Sequence, residues 1–343
     1  MDTTPTKTAP VKTPPAEGAL HSVLPEGGVI SAKFLANVLV WVLLATMPYW
    51  LNAVGGYTDL GTEILIMALA AMSLNFLLGF TGVLSFGHAA YFGLGAYGMG
   101  MTIKYLLPST MAGMGVGIVV AIAAAALIGA LIVHLRGIYF AMVTIAFGQV
   151  FYFITYRWNN VTGGDDGLSG WNRQPINLGF TTVNIVHNET ALYYVAFVFF
   201  AIAVAIMAAL LRSPFGRTLL AIRENERRAR FLGIPVDRHI WISWLISCTF
   251  VSLAGTLYAL LDNFADPHFL YWQQSGVFVI MAVLGGMRSF WGPLLGAAIY
   301  VVLQDYVSSM TENWMTFIGL FFVLIVLFFP RGVLGMIRRK AAS

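Results

Sequence analysis

Charged residues are scarce in this sequence. Asp, Glu, Lys and Arg account for 10% of the 343 residues, against about 25% in an ordinary globular protein. The residues AVILMFWYC account for 59%, and a soluble fold could not cover that much apolar surface with so few charges. This composition excludes a disordered chain, a nucleic-acid-binding protein and a soluble enzyme. It indicates an integral membrane protein.

Other absences narrow the chemistry. The single cysteine, Cys248, lies in an apolar run and can form no disulfide within the chain. The dipeptide Gly-Lys does not occur, so the sequence has no phosphate-binding loop of the G-x-x-x-x-G-K-[ST] type. No H-E-x-x-H motif and no cluster of Cys and His offers a metal site. We therefore expect no catalytic residue, metal or cofactor here, and any energy must come from another polypeptide.

Long apolar runs are abundant. A spanning helix takes about 20 apolar residues, and ten candidate spans follow one another along the chain. The eighth and ninth are short and lie only four residues apart, so eight or nine spans remain an alternative. The candidates are Phe34–Leu51, Thr62–Phe80, Leu84–Leu107, Met111–Leu135, Ile138–Tyr156, Ala191–Leu211, Trp241–Leu261, Ser275–Met287, Gly292–Val307 and Met315–Pro330.

The basic residues support this map. If the N-terminus is cytoplasmic and every candidate crosses, 16 of the 19 Lys and Arg side chains fall on the cytoplasmic side. We therefore predict an all-α integral membrane protein of about ten transmembrane helices, with both termini cytoplasmic. The predicted divisions are a disordered N-terminal tail (1–32), the membrane domain (33–335) and a basic C-terminal tail (336–343).

Glycine interrupts two apolar stretches at comparable places in the two halves of the chain. One runs from Gly79 to His88 and the other from Val283 to Pro293. Backbone freed from a helix is tolerated in a membrane only against protein or water. Paired broken segments therefore indicate a path between two pseudo-symmetric halves, although close packing of small residues explains them equally well. The candidate path residues are Asn75, Ser85, Phe86, Gly87, His88, Gln149, Gly285 and Gly286.

The polar residues near the middle of the spans are uncharged Ser, Thr, Asn and Gln side chains, and no span carries a charge clearly at its middle. Asn75 and Gln149, together with Ser73 and Thr144, are explained by hydrogen bonds between helices more readily than by a path. His88 alone is weak evidence, because a single histidine near the end of a span is more often part of a hydrogen-bonded structure than a ligand.

Two polar connections stand out. Residues 157–190 form a turn-rich loop on the predicted outer side. Residues 212–240 begin with Ser213-Pro214, which is typical of a helix start, and Gly233 with Pro235 is typical of a stop. This basic amphipathic segment could lie on anionic lipid or fit a groove of a partner protein. Its two glutamates and Asn225 favour the protein contact.

Five stretches together resemble the permease subunits of ABC importers for branched-chain amino acids, closest to the LivM type. With the closing Phe329–Gly332 they span about residues 60–335. The resemblance implies a multi-pass protein of the bacterial inner membrane, paired with a second, LivH-type permease. It also implies two cytoplasmic ATPases that carry ATP and Mg²⁺, and a periplasmic binding protein. The stretches are Leu77–Tyr97, Leu135–Phe147, Thr162–Leu168, Arg212–Ile234 and Val279–Ala298.

The resemblance also implies roles for the two polar connections. The 212–240 segment would couple the chain to the ATPase, and the 157–190 loop would be periplasmic and contact the binding protein. Alternatives are a secondary transporter with inverted repeats and a same-family permease for urea, amides or small organic acids. A membrane-embedded enzyme would need reactive groups that the spans lack. The coupling candidates are Arg217, Arg223, Glu224, Asn225, Glu226 and Gly233, and the binding-protein candidates are Gly163, Gly164, Asp165 and Asp166.

Overall fold

The computed structural model describes residues 32–53, 55–177, 182–186, 188–328 and Gly332. These residues contain fourteen α-helices, numbered here in chain order, and two strands of two residues each. The predicted all-α membrane fold is confirmed. The predicted C-terminal tail lies outside the described residues, as does the predicted N-terminal tail apart from Ala32, where the first helix begins.

Six helices form the first half of the chain, and two of them continue as π-helices. The third helix runs on as a π-helix over Phe76–Thr81, and the fourth over Thr102–Leu106. The six are α1 (Ala32–Ala45), α2 (Met47–Ala53), α3 (Thr58–Asn75), α4 (His88–Met101), α5 (Thr110–Ile132) and α6 (Ile138–Arg157).

The loop after α6 holds the small elements, and the remaining long helices follow it. Strands β1 (Ile176–Asn177) and β2 (Thr182–Val183) pair antiparallel, with Ile176 opposite Val183. Short 3-10 helices cover Gly164–Asp166 and Pro267–Leu270. The α-helices are α7 (Asn159–Thr162), α8 (Glu189–Arg212), α9 (Pro214–Glu224), α10 (Glu226–Phe231), α11 (Val236–Asp262), α12 (Trp272–Gly285), α13 (Gly292–Met310) and α14 (Trp314–Phe328).

Every candidate span overlaps a helix, and the first, Phe34–Leu51, overlaps two. Among the described residues, five helical segments are long and apolar enough to cross a membrane by themselves. The five segments differ in how much of their most apolar stretch is buried within the protein. That share is 94% for α3 with its π-helix but only 28% for α6. Helix α3 packs against α8, α11, α12 and α13 and so forms the centre. Its small residues, which include Gly61, Ala68, Ala70 and Ala71, let neighbouring backbones approach.

The helix ends alternate between two faces of the molecule. On the face that carries α9 and α10, Arg136 after α5 pairs with Glu226. On the opposite face, the Thr110 hydroxyl at the start of α5 donates to Gln174 O at 2.7 Å. There the Lys104 ammonium also donates to Ser169 O at 2.7 Å. We call these the inner and outer faces, after the sides predicted for them.

Candidate functional site

The first broken segment, residues 79–88, comprises the end of the π-helix after α3, the non-helical stretch 82–87 and the first residue of α4. The Thr81 hydroxyl lies 2.7 Å from that of Ser243 on α11. The backbone N–H of Phe86 donates to the Thr144 hydroxyl of α6 at 3.3 Å. The backbone N–H of Phe86, which lies outside any helix, is thus bonded to protein, as a hydrocarbon environment would require.

His88 is completely buried at the start of α4, and both of its ring nitrogens have partners. Nδ1 lies 3.0 Å from the Ser85 hydroxyl, and Nε2 lies 2.8 Å from that of Ser247 on α11. The Ser247 hydroxyl donates to Ser73 O at 2.6 Å, so it can only accept from His88. Nε2 therefore carries the proton, and Nδ1 accepts from Ser85. The ring fastens the broken segment to the middle of α11.

Gly87 directly precedes this histidine, and helix α6, which carries Gln149, packs against Gly87. A Cβ on Gly87 would stand 2.6 Å from Thr144 O, so helix α6 approaches too closely for any side chain. The adjacent Gly148 faces Gly87 and Ala90 across an ordinary contact distance. Gln149, next along α6, is half-buried, and its Nε2 is buried without a hydrogen-bond partner. Of the other path candidates here, Ser85 is fully buried and Phe86 is half-buried.

The second broken segment, 286–291, meets the first at Gly79. A Cβ on Gly79 would stand 2.3 Å from Met287 O. The Asn75 side-chain N–H donates to Ser289 O at 3.3 Å. Gly286 has a φ of 113°, which favours glycine. A Cβ on Gly285 would stand 1.7 Å from Gly292 O. We call this meeting point the Gly79 junction, and it is defined by Asn75, Gly79, Met287 and Ser289.

The inner segment, α9 and α10 with the residues that follow them to Pro235, places the predicted coupling residues in two groups. Arg217 and Glu224 are exposed, and Gly233 is exposed with a φ of 81° where the helix ends. The other three are bonded within the chain. Asn225 caps α10 by accepting from Arg228 N at 2.9 Å, while Glu226 and Arg223 bond to the membrane domain.

Glu226 belongs to a four-charge network. Arg136 Nε donates to its two carboxylate oxygens at 2.8 and 2.9 Å, and Arg230 Nη2 donates to Oε1 at 2.9 Å. Asp237, at the start of α11, pairs with both arginines. Hydrogen bonds to Asp237 and Glu226 raise the pKa of Arg230 above its ordinary value. The network ties α10 to the inner ends of α5 and α11.

Arg223 is bonded differently. It is half-buried, and its guanidinium donates to Gly79 O. Burial and the nearby charge of Arg288 lower the pKa of Arg223, and Glu224 opposes this shift. The side chain thus lies at the Gly79 junction rather than on the free surface of the inner segment.

Sequence reasoning did not single out Phe231 and Leu232. These side chains are 90% and 74% exposed at the end of α10, and Arg227 and Arg228 beside them are exposed as well. Two adjacent apolar residues in an otherwise charged helix, directly before Gly-Ile-Pro, could have identified this pair from the sequence. Two exposed adjacent apolar side chains on a basic segment are typical of an interaction site.

The outer loop folds into a compact turn. Gly163 and Gly164 have φ values of 82° and 62°, and the 3-10 helix after them leaves Asp165 and Asp166 exposed. Leu168 pairs with Ala265 through two backbone hydrogen bonds of 2.9 and 3.2 Å. The two carboxylates therefore project from a well-supported surface on the outer face.

Arg173 fastens the same loop further along. Its guanidinium donates to Leu261 O, and its backbone N–H donates to the Asn263 side chain at 3.2 Å. Burial lowers the pKa of Arg173, while neighbouring carboxylates raise it. The outer loop is therefore held to the end of α11 at two places.

A sequence model of the family described as "Branched-chain amino acid transport system / permease component" matches residues 56–327. The chain belongs to this family. It is a LivM-type permease subunit of an ABC importer, and this membership and function confirm the prediction. The relatives below include both LivM and LivH proteins, which indicates a two-permease system, and the chain is a multi-pass membrane transport subunit.

Three relatives illustrate the match. The high-affinity branched-chain amino acid transport system permease protein LivM of Escherichia coli is 28% identical, covering 91% of this chain and 77% of that protein. The probable LivM of Methanocaldococcus jannaschii is 24% identical, covering 78% and 89%. The LivH permease of Salmonella typhimurium is 31% identical over 127 residues, covering 36% and 40%. No solved structure matches the chain.

Proposed function

We propose that this chain and a second, LivH-type permease form the path by which an ATP-driven importer carries branched-chain amino acids across the bacterial inner membrane. Two cytoplasmic ABC ATPases bind ATP and Mg²⁺, and a periplasmic binding protein delivers the solute. This chain itself binds no metal or cofactor. Its ten spans form two pseudo-symmetric halves, both termini are cytoplasmic, and the division into domains is the one predicted from the sequence.

The observation that carries this proposal is the Gly79 junction. There the broken segments of the two halves meet, and Asn75 at the end of α3 donates to Ser289 O of the second segment at 3.3 Å. The guanidinium of Arg223 brings the inner segment to the same point. An importer driven by a separate ATPase needs a mechanical connection between its docking segment and its path, and this arrangement supplies one.

The test is uptake by proteoliposomes that contain the complete complex. We expect leucine, isoleucine or valine to accumulate only with ATP inside and the loaded binding protein outside. Uptake should continue when an uncoupler has collapsed ion gradients. Uptake that needs an ion gradient and no ATP would instead identify a secondary transporter. ATP-dependent uptake of urea, an amide or an organic acid, with branched-chain amino acids refused, would contradict the proposed substrate.

The sidedness of the two faces can be measured directly. Ser169 is exposed on the outer loop, and Cys248 is fully buried. In a Cys248→Ala background, Ser169→Cys should therefore react with a membrane-impermeant thiol reagent in intact spheroplasts. Arg228→Cys, exposed on the inner segment, is the matched control and should react only after lysis. The reverse pattern would invert the topology.

The docking residues of the inner segment are expected to be Phe231 and Leu232. Their exposure, with two arginines beside them, fits an apolar pocket with an acidic rim on the ATPase. Because interface anchors contribute about 2 kcal/mol or more each, Phe231→Ser with Leu232→Ser should reduce ATPase co-purification at least about tenfold. The same double change at Leu106 and Leu107, an exposed apolar pair on the outer face, should leave it unchanged. Equal losses from both pairs would contradict this docking site.

A further inference from the structure

Besides apolar packing, two polar connections among the described residues hold the inner segment to the membrane domain, and they lead to different places. The network around Glu226 leads to Arg136 and Asp237, at the inner ends of α5 and α11. Neither contact touches a broken segment. Arg223, three residues earlier, leads to Gly79 and so to the junction of both broken segments. The two connections can therefore be separated by mutation.

The backbone of the first broken segment lets Arg223 approach it closely. Gly82 has a φ of 82°, and a Cβ there would stand 2.9 Å from Arg223 Cγ. The aliphatic part of the arginine thus lies directly on the glycine, while the guanidinium reaches the Gly79 carbonyl. Free carbonyls at the end of a helix carry partial negative charge, so this is a favourable place for a cation.

The second broken segment lies on the other side of Gly79. A Cβ on Gly79 would meet Met287 O at 2.3 Å and the Asn75 side-chain oxygen at 2.4 Å. Arg288, one residue further, is close enough for its charge to lower the pKa of Arg223. A displacement of α9 that moves the guanidinium must therefore move Gly79, break its hydrogen bond, or change the distance between two like charges.

We propose that Arg223 is a positioning residue that transmits the position of the inner segment to both broken segments through Gly79. The proposal rests on the proposed function, because it takes the inner segment to be the part that the ATPase moves. As a positioning residue, Arg223 acts through Gly79 rather than on solute or nucleotide. A planar guanidinium holds a fixed direction to its acceptor, which a flexible ammonium does not.

The experiment compares Arg223→Ala, Arg223→Lys and Arg212→Ala in the complete complex. Arg212 is the matched control because it is an exposed arginine at the end of α8, directly before α9. We expect Arg223→Ala to keep assembly and basal ATPase activity. Its ATPase stimulation by the loaded binding protein, and its uptake, should fall about tenfold, within the range typical of coupling between two sites. Arg223→Lys should recover part of the loss, and Arg212→Ala should stay within about twofold of the wild type.

A second measurement does not depend on transport. Amide hydrogen exchange in 82–88 and 286–291 should become faster in Arg223→Ala than in the wild type, and Arg212→Ala should leave it unchanged. Loss of assembly in Arg223→Ala, or full stimulation with unchanged exchange, would overturn the proposal and make the arginine a packing residue. If wild-type liposomes show no ATP-dependent uptake, the proposed function fails by itself. The exchange experiment still decides whether Arg223 links the two segments.

Discussion

Alanine in place of Gly285 is expected to prevent the chain from folding into a stable, monodisperse protein in detergent. The new Cβ would stand 1.7 Å from Gly292 O and 2.3 Å from Gly292 C. These are backbone atoms at the start of α13, so no side-chain rotation can relieve the overlap. Overpacking of this kind costs about 3 kcal/mol or more, at the upper end of single substitutions. Thermal unfolding followed by size-exclusion chromatography measures the effect.

Gly276 provides the matched control on the same helix, α12. A Cβ there would have no neighbour within 4 Å. Gly276→Ala should therefore leave the thermal transition unchanged or raise it slightly, because alanine is up to about 1 kcal/mol better than glycine inside a helix. Equal transition temperatures for the two variants would show that α12 and α13 are less closely packed than described.

The close backbone contacts of Gly87 and Gly285 also explain why glycine occurs in the two broken segments. At Gly87 and Gly285, the atoms that exclude a side chain are backbone atoms of this chain, Thr144 O and Gly292 O. Close packing thus accounts for both glycines. A role in the path then rests on the polar candidates Asn75 and Gln149, each of which has one buried amide atom without a partner. Loss of transport on mutating either glycine would therefore not identify the path.

Replacement of His88 by leucine is expected to loosen the first broken segment from α11. Leucine fills a similar volume but leaves the Ser85 and Ser247 hydroxyls without their ring partners. Buried polar groups that lose a partner cost about 1–3 kcal/mol in proteins, and less between membrane helices. We expect a total loss of about 2 kcal/mol, seen as a lower unfolding temperature with a proportionate loss of folded protein.

Two comparisons make the His88 experiment decisive. His88→Gln keeps one donor and one acceptor and should recover part of the stability. His134→Leu changes an exposed histidine at the inner end of α5 and should have no effect. If His88→Leu is as stable as the wild type, the ring does not hold the segment. If glutamine is no better than leucine, the two hydrogen bonds are not the reason.

The sequence predicted the helices well because long apolar runs, and the glycines that interrupt them, are local features of the sequence. It located both broken segments and the ends of the inner segment. It did not predict that the two segments meet, because Asn75 and Ser289 are more than 200 residues apart and only tertiary packing joins them. The π-helix after α3 also has no local signal, since its residues continue the same apolar run.

The sequence is sufficient to predict the roles of some polar residues but not of others. Ser243 and Ser247 stand four residues apart and so share one face of α11, a pattern from which the buried network could have been predicted. The bond between Arg223 and Gly79 could not, because a carbonyl acceptor leaves no mark in a sequence. Glu226 looked like a residue for a partner protein. Its pairing with Arg136 becomes visible only when the inner ends of α5 and α11 are placed side by side.

The enclosure of α3 has a consequence for how the chain is made. Four of its neighbours, α8, α11, α12 and α13, begin after residue 188, so α3 enters the membrane long before these helices can enclose it. At 5–20 residues per second, α13 is completed roughly 10–50 s after α3. During that interval the small side chains and Asn75 of the central helix face lipid or the insertion machinery. Substitutions there should therefore reduce the amount of protein made before they alter what a completed molecule does.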